Sequence, residues 1–173
     1  MFDLGILMIR LFFGTAIAAH GAQKLFGSFG GYGLKGTAGF FENLGFRPGV
    51  PFAAAAGLGE FGGGLLLVLG LLTPVGAAAI LSTMLVAIVS VHLKNGLFIQ
   101  NNGMEGPFLY GAAAVGLSFT GAGSISLDSA LGLARLFSPA TIVVLLAASI
   151  VGAGLTLLMR HQPSQKPIEN TSH

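Results

Sequence analysis

Long apolar runs separated by short polar or glycine-rich breaks dominate the pattern along this chain. A helix that spans a bilayer needs about 20 mostly apolar residues. That template fits Leu4 to Phe26, Val50 to Leu72, Val75 to Leu93, Pro107 to Phe119 with some extension, and Ala140 to Met159. The fourth run is the shortest, because Thr120-Gly121-Ala122-Gly123 ends it early. Thr73-Pro74 makes the second and third spans a tight antiparallel hairpin, with proline placed where a helix needs no N–H donor. Between the first two spans, Thr37 to Leu44 reads as a short helix begun by Thr37 and stopped by Gly45. It would set Phe40, Phe41, Leu44 and Phe46 in the membrane interface. The residues from 161 to 173 are polar, contain Pro163 and Pro167, and read as a disordered tail.

Composition narrows this to a membrane protein. Of the 173 residues 53% are hydrophobic and 8% charged, and the mean hydropathy is +0.84, whereas a soluble domain has about 25% charged residues. The 28 glycines allow close helix packing where lipid supplies no hydrophobic drive between helices. A net charge of +2 is too small a surplus to suggest nucleic acid as a partner. With no cysteine, the chain forms no disulfide, thiolate metal site or dithiol couple of its own. The first run is not read as a signal peptide, because Asp3 stands where a basic region belongs and Arg10 interrupts the apolar core.

Basic residues set the expected orientation, since short cytoplasmic loops are enriched in Lys and Arg. Five spans put Lys24, Lys35, Arg47, Lys94, Arg160 and Lys166 on one side and leave Arg135, Asp3 and Asp128 on the other. The chain is therefore expected in the cell membrane as a multi-pass protein, N-terminus outside and C-terminus cytoplasmic.

Candidate chemistry lies in the ionisable residues inside the spans, each costing about 2.5–3.5 kcal/mol at a helix centre unless it faces a partner. Arg10, Gly14, Ile17, Gly21 and Lys24 share one stripe of the first helix, with His20 at its edge. On the second span Glu60 shares a face with Ala53, Ala56, Gly57, Gly63 and Gly64. At about 1.5 Å per residue, Arg10 lies roughly 9 Å from the outer side, Glu60 roughly 18 Å, His20 roughly 24 Å and His92 roughly 27 Å. The expected arrangement is a buried Arg10–Glu60 ion pair and a polar pocket at the cytoplasmic end from His20, Gln23, Lys24 and His92. Glu60, His20 and His92 are the candidate proton carriers, and Lys24 and Gln23 the candidate substrate contacts. His20 and His92 lie on different helices without ligand spacing, so no metal site is expected.

Arg10-Leu11, His20-Gly21-Ala22-Gln23-Lys24-Leu25-Phe26-Gly27, Gly39-Phe40-Phe41-Glu42-Asn43-Leu44-Gly45, Gly59-Glu60-Phe61-Gly62-Gly63-Gly64 and Gly70-Leu71-Leu72-Thr73-Pro74 follow one another in order. Together with Met84 to Ala87, His92 and Gly121 to Asp128, they resemble the DoxX family of small membrane proteins. The resemblance implies an all-α transmembrane bundle with a four-helix core over 1–128, to which residues 129–160 add a fifth helix. Relatives include a quinone-reducing subunit of thiosulfate oxidation and a membrane partner in an oxidant-defence complex. The expected role is thus a membrane subunit of an oxidoreductase system, with a quinone or other small-molecule pocket and a soluble or membrane redox partner, in lipid and in a homo-oligomer or alone. A non-catalytic scaffold is the alternative. A small transporter is a third, disfavoured by the absence of an inverted repeat or paired broken helices.

Overall fold

The computed structural model describes residues 1–161; the expected polar tail beyond them lies outside the described residues. Among the described residues there are seven α-helices, several single 3-10 turns and no strand. They are α1 (Phe2–Phe26), α2 (Gly33–Asn43), α3 (Gly49–Leu69), α4 (Thr73–Ala87), α5 (Glu105–Thr120), α6 (Leu127–Ala130) and α7 (Pro139–Leu158). A π-turn over Ile88–His92 and a 3-10 turn over Leu93–Asn95 carry α4 onward to Asn95. Among the described residues four helices are long and apolar enough to cross a membrane: α1, α3, the extended α4 and α7.

Helix α5 has 16 residues, about 24 Å of rise, and is shorter than the other four. The loop after it folds back into the bundle instead of leaving it, so that the Ala122 carbonyl meets Arg10 two turns inside α1.

Helices α1 and α3 form the tightest pair, and glycine is the reason. A Cβ on Gly14 would lie 2.9 Å from the Gly64 carbonyl oxygen, and one on Gly64 would lie 2.7 Å from Ala18 N. A Cβ on Gly21 would overlap the backbone nitrogen of Phe61. The two backbones therefore touch over most of their length, as small-residue faces permit in lipid. Helix α4 packs against α3, α5 and α7, and the core that α1, α3, α4 and α5 share holds Ile6, Ile17, Leu67, Ala77, Ile80, Met84, Ala114 and Leu117.

The connector departs from its expected form. Helix α2 starts a turn early at Gly33, so Thr37 lies inside it, and the Thr37 hydroxyl donates to the Lys24 carbonyl instead of capping. Gly45 does stop it. With φ +96°, Gly45 donates to Glu42 O while Phe46 N donates to Phe41 O, the paired bonds of a Schellman ending. Phe41 and Phe46 do not reach the interface but pack on Ala38 and Ala53, while Phe40 stays exposed. The short stop brings Phe46 under α3, where burying an aromatic ring removes more apolar surface than leaving it at the headgroups. The end of α7 docks here too: Arg160 Nε donates to Leu44 O and His161 N to Gly45 O.

Candidate functional site

Two polar clusters lie at different levels of the α1–α3 pair. Nearer the Phe2 end, Arg10 is 1% exposed and spends its guanidinium on backbone carbonyls. Nε donates to Leu67 O at 2.9 Å, Nη2 to Val68 O at 3.1 Å, and Nη1 to Ala122 O at 2.5 Å and Ile125 O at 2.9 Å. Leu67 and Val68 lie in the last turn of α3, where the terminal carbonyls carry partial negative charge, so a cation fits there; Leu67 O also accepts from Gly70 N. Asp128, 3% exposed, answers from the next turn. Its carboxylate accepts from Leu72 N at 2.7 Å and Thr73 N at 3.0 Å, the free donors at the start of α4. Asp3 completes the corner by accepting from the Ser124 amide and hydroxyl. This end is a clamp built on main-chain atoms.

Toward the Phe26 end, Glu60 is 4% exposed and pairs with Lys24, Nζ to Oε2 at 2.5 Å. The expected Arg10–Glu60 pair is thus corrected, for a reason of register. Gly21 lies against Gly57 and Phe61, so Glu60 is level with residues 20–21 of α1. Arg10 is about ten residues away, roughly 15 Å along the axis, and its side chain leans toward the N-terminus of α1, away from Glu60. The same tilt sends the Lys24 side chain back up the helix to the carboxylate. Lys24, expected as a substrate contact, therefore serves as the counter-ion of Glu60, with 29% of its side chain still exposed.

His20, four residues before Lys24 on α1, meets Tyr110 of α5. Their rings meet edge to face at a centroid distance of 5.9 Å and 81°, and Phe13 meets the other side of Tyr110 at 5.9 Å and 85°. His20 is exposed on the bundle flank, whereas Tyr110 is half-buried against the core. The sequence reading missed Tyr110, because a lone tyrosine in an apolar run reads as core or interface. Asp128, expected only as an outer-side charge and as the end of a family-like stretch, is instead buried and caps α4.

The remaining candidates stand apart from this cluster. Gln23 donates to Phe29 O and so ties the connector to α1. His92 does not join His20 and Lys24 in one pocket; its Nδ1 lies 2.9 Å from Asn102 O. A carbonyl only accepts, so Nδ1 carries the proton and Nε2 is left as an acceptor when the ring is neutral. Asn95 donates to the same carbonyl, which holds His92 toward the loop before α5. No group of three or more His, Cys, Asp or Glu side chains suited to a metal ion occurs among the described residues.

An all-helical membrane protein with one charge pair inside its bundle and a main-chain clamp at one end is the class these features define. The family model for DoxX matches residues 5–93, and the chain belongs to that family. A protein of Bacillus subtilis (strain 168) described as "Putative oxidoreductase CatD" is 30% identical over 127 residues, 73% of this chain and 87% of the relative. No solved structure matches the chain.

Proposed function

We propose that this DoxX protein is the membrane subunit of an oxidoreductase system, in which Lys24, Glu60, His20 and Tyr110 supply protons to a quinone. The observation that carries the reading is the Glu60–Lys24 pair, a carboxylate 4% exposed and held to a lysine inside an apolar bundle. Ionisable groups in spans are costly and rare, and those that persist commonly mark substrate paths or proton relays. A quinone that takes two electrons from a redox partner protein takes one proton on each ring oxygen, leaving the partner oxidised and the quinol in the membrane. With no cysteine, the chain depends on such a partner for the electrons. His20 and Glu60 are the proton carriers in this reading; His92, held by Asn102, is a relay toward the aqueous end. The relative's description as an oxidoreductase supports the same direction.

The proposed placement is the cell membrane with the Phe26 end cytoplasmic. Its support is that Lys24, Lys35, Arg47, Lys94 and Arg160 all fall in or beside the turns at that end, as positive-inside loops do.

The test is to purify the protein in mild detergent, extract its lipids, and assay quinone reduction with the partner present. The expected result is copurifying quinone and, for Glu60→Gln, lost turnover with unchanged folding. A protein that neither retains nor binds a quinone refutes the reading. The four-carbonyl clamp on Arg10 favours a second reading, a scaffold whose buried charges serve assembly alone; that reading expects Glu60→Gln to leave turnover of the partner intact.

A further inference from the structure

At the Phe2 end, away from the Glu60–Lys24 pair, a cavity of about 350 Å³ lies between the last turn of α5, helix α6 and the start of α7. Asp128, Ser118, Ser124 and Ser129 line it beside Phe119 and Phe137. Half of this wall is thus polar, although it stands at the end of an apolar bundle.

What those polar groups can still do is fixed by the bonds they already make. Asp128 accepts from Leu72 N and Thr73 N, and an ionised carboxylate has about four acceptor positions, so capacity remains. The Ser118 hydroxyl gives its proton to Ala114 O, and the Ser124 hydroxyl gives its own to Asp3. Both keep only lone pairs. Of the three serines, Ser129 alone holds an uncommitted hydroxyl proton among the described residues. Ser118 and Phe119 belong to the last turn of α5, where the negative end of the helix dipole lies. No Lys, Arg or His side chain lines the cavity among the described residues. The guanidinium of Arg10 is already spent on four carbonyls.

We propose that this cavity binds a primary ammonium group carried on a small apolar body. An ammonium has three donors and no acceptor, the reverse of what the wall offers. Asp128 supplies the opposite charge, and a phenyl face attracts a cation within about 6 Å of its centre, a role open to Phe119 and Phe137. At about 350 Å³ the space is near the lower limit of small-molecule sites, about 300 Å³, so it suits an arylalkylamine and excludes a large cofactor. An aminophospholipid headgroup offers the same ammonium, and the ends of the helices are where headgroups lie. The site shares no residue with the Glu60–Lys24 cluster and stands apart from the quinone reading.

The experiment is titration calorimetry of the full chain in dodecyl maltoside with phenethylamine, with phenylpropionate and phenethyl alcohol as size-matched controls. The amine is expected to bind, and the acid and the alcohol to bind at least roughly tenfold more weakly, the equivalent of one charged hydrogen bond. Asp128→Asn keeps one acceptor and removes the charge, and should weaken the amine roughly tenfold. Phe137→Leu keeps an apolar wall without a π face and should weaken it roughly threefold. Parent that binds no amine, a control that binds as tightly, or Asp128→Asn within twofold of the parent overturns the proposal. Should Asp128→Asn unfold, an azido derivative of phenethylamine on unmodified protein decides the matter. Label on residues 118–124 and 128–137 supports the site. Label confined to the apolar groove of about 510 Å³ between α4 and α5, around Leu81, Met84 and Ile88, refutes it. Repeating the titration with phosphatidylethanolamine or phosphatidylglycerol in the micelles separates the two sources of the ammonium. Competition by phosphatidylethanolamine alone upholds the site as a headgroup site, and competition by neither upholds it as one for a free amine. Competition by phosphatidylglycerol, which has no amine, overturns it.

Discussion

Arg10→Met tests whether the two buried charges of the α1–α3 pair act as one unit or as two. Methionine keeps most of the side-chain volume and removes four charged hydrogen bonds to Leu67, Val68, Ala122 and Ile125. Bonds to charged groups are worth about 1.5–3 kcal/mol each and are not additive. Some of the loss is offset because burying a guanidinium is itself costly. A net destabilisation of about 3–5 kcal/mol follows, the range for removing one side of a buried charged arrangement. The assay is reversible unfolding in mixed micelles, applied as double-mutant cycles to Arg10→Met with Glu60→Gln and to Lys24→Met with Glu60→Gln. Because Arg10 is roughly 15 Å from the level of Glu60 and shares no partner with it, the first cycle should be additive within about 0.5 kcal/mol. The Lys24 cycle should show a coupling of about 1–3 kcal/mol, below the fully buried range because the lysine is partly exposed. A coupling above about 1 kcal/mol between Arg10 and Glu60 would refute the separation of the two clusters.

Two further substitutions probe the frame. Asp128→Ala removes the acceptor for Leu72 N and Thr73 N and should cost about 1–2 kcal/mol in the same unfolding assay, the value of a helix cap; Asp128→Asn, which retains one acceptor, should lose less. Gly21→Ala forces a methyl against the backbone of Phe61, so α1 and α3 must separate, at about 1–3 kcal/mol. Gly5→Ala, where a Cβ would meet nothing within 4 Å, should leave the melting temperature unchanged.

Periodicity and length made the long helices legible. Gly45 and Gly70, both with positive φ, end α2 and α3 near the places where glycine follows an apolar run. Thr37 misled because a threonine before an aromatic run looks like a cap, yet glycine at position 33 with φ +64° already starts the helix. The stripe on α1 correctly set Arg10 and Lys24 on the face turned to α3. Which of them meets Glu60 depends on the axial offset of two antiparallel helices, and that offset is set by glycine contacts such as Gly14 against Gly64. Sequence spacing within one helix carries no information about it. Tyr110 was invisible for a similar reason: its importance comes from what α5 brings it beside, and no local pattern on α5 records His20.

The clamp on Arg10 also has a meaning in time. The first helix enters the membrane with a guanidinium in its apolar length, and two of its four acceptors come from residues 112 and 115 positions later in the chain. Until the 122–125 loop exists, that charge must be held by α3 alone, by water or by the insertion machinery. The second half of the protein therefore completes the burial of a charge in the first, and a chain ending after α4 would lack the Ala122 and Ile125 acceptors and leave the arginine half satisfied.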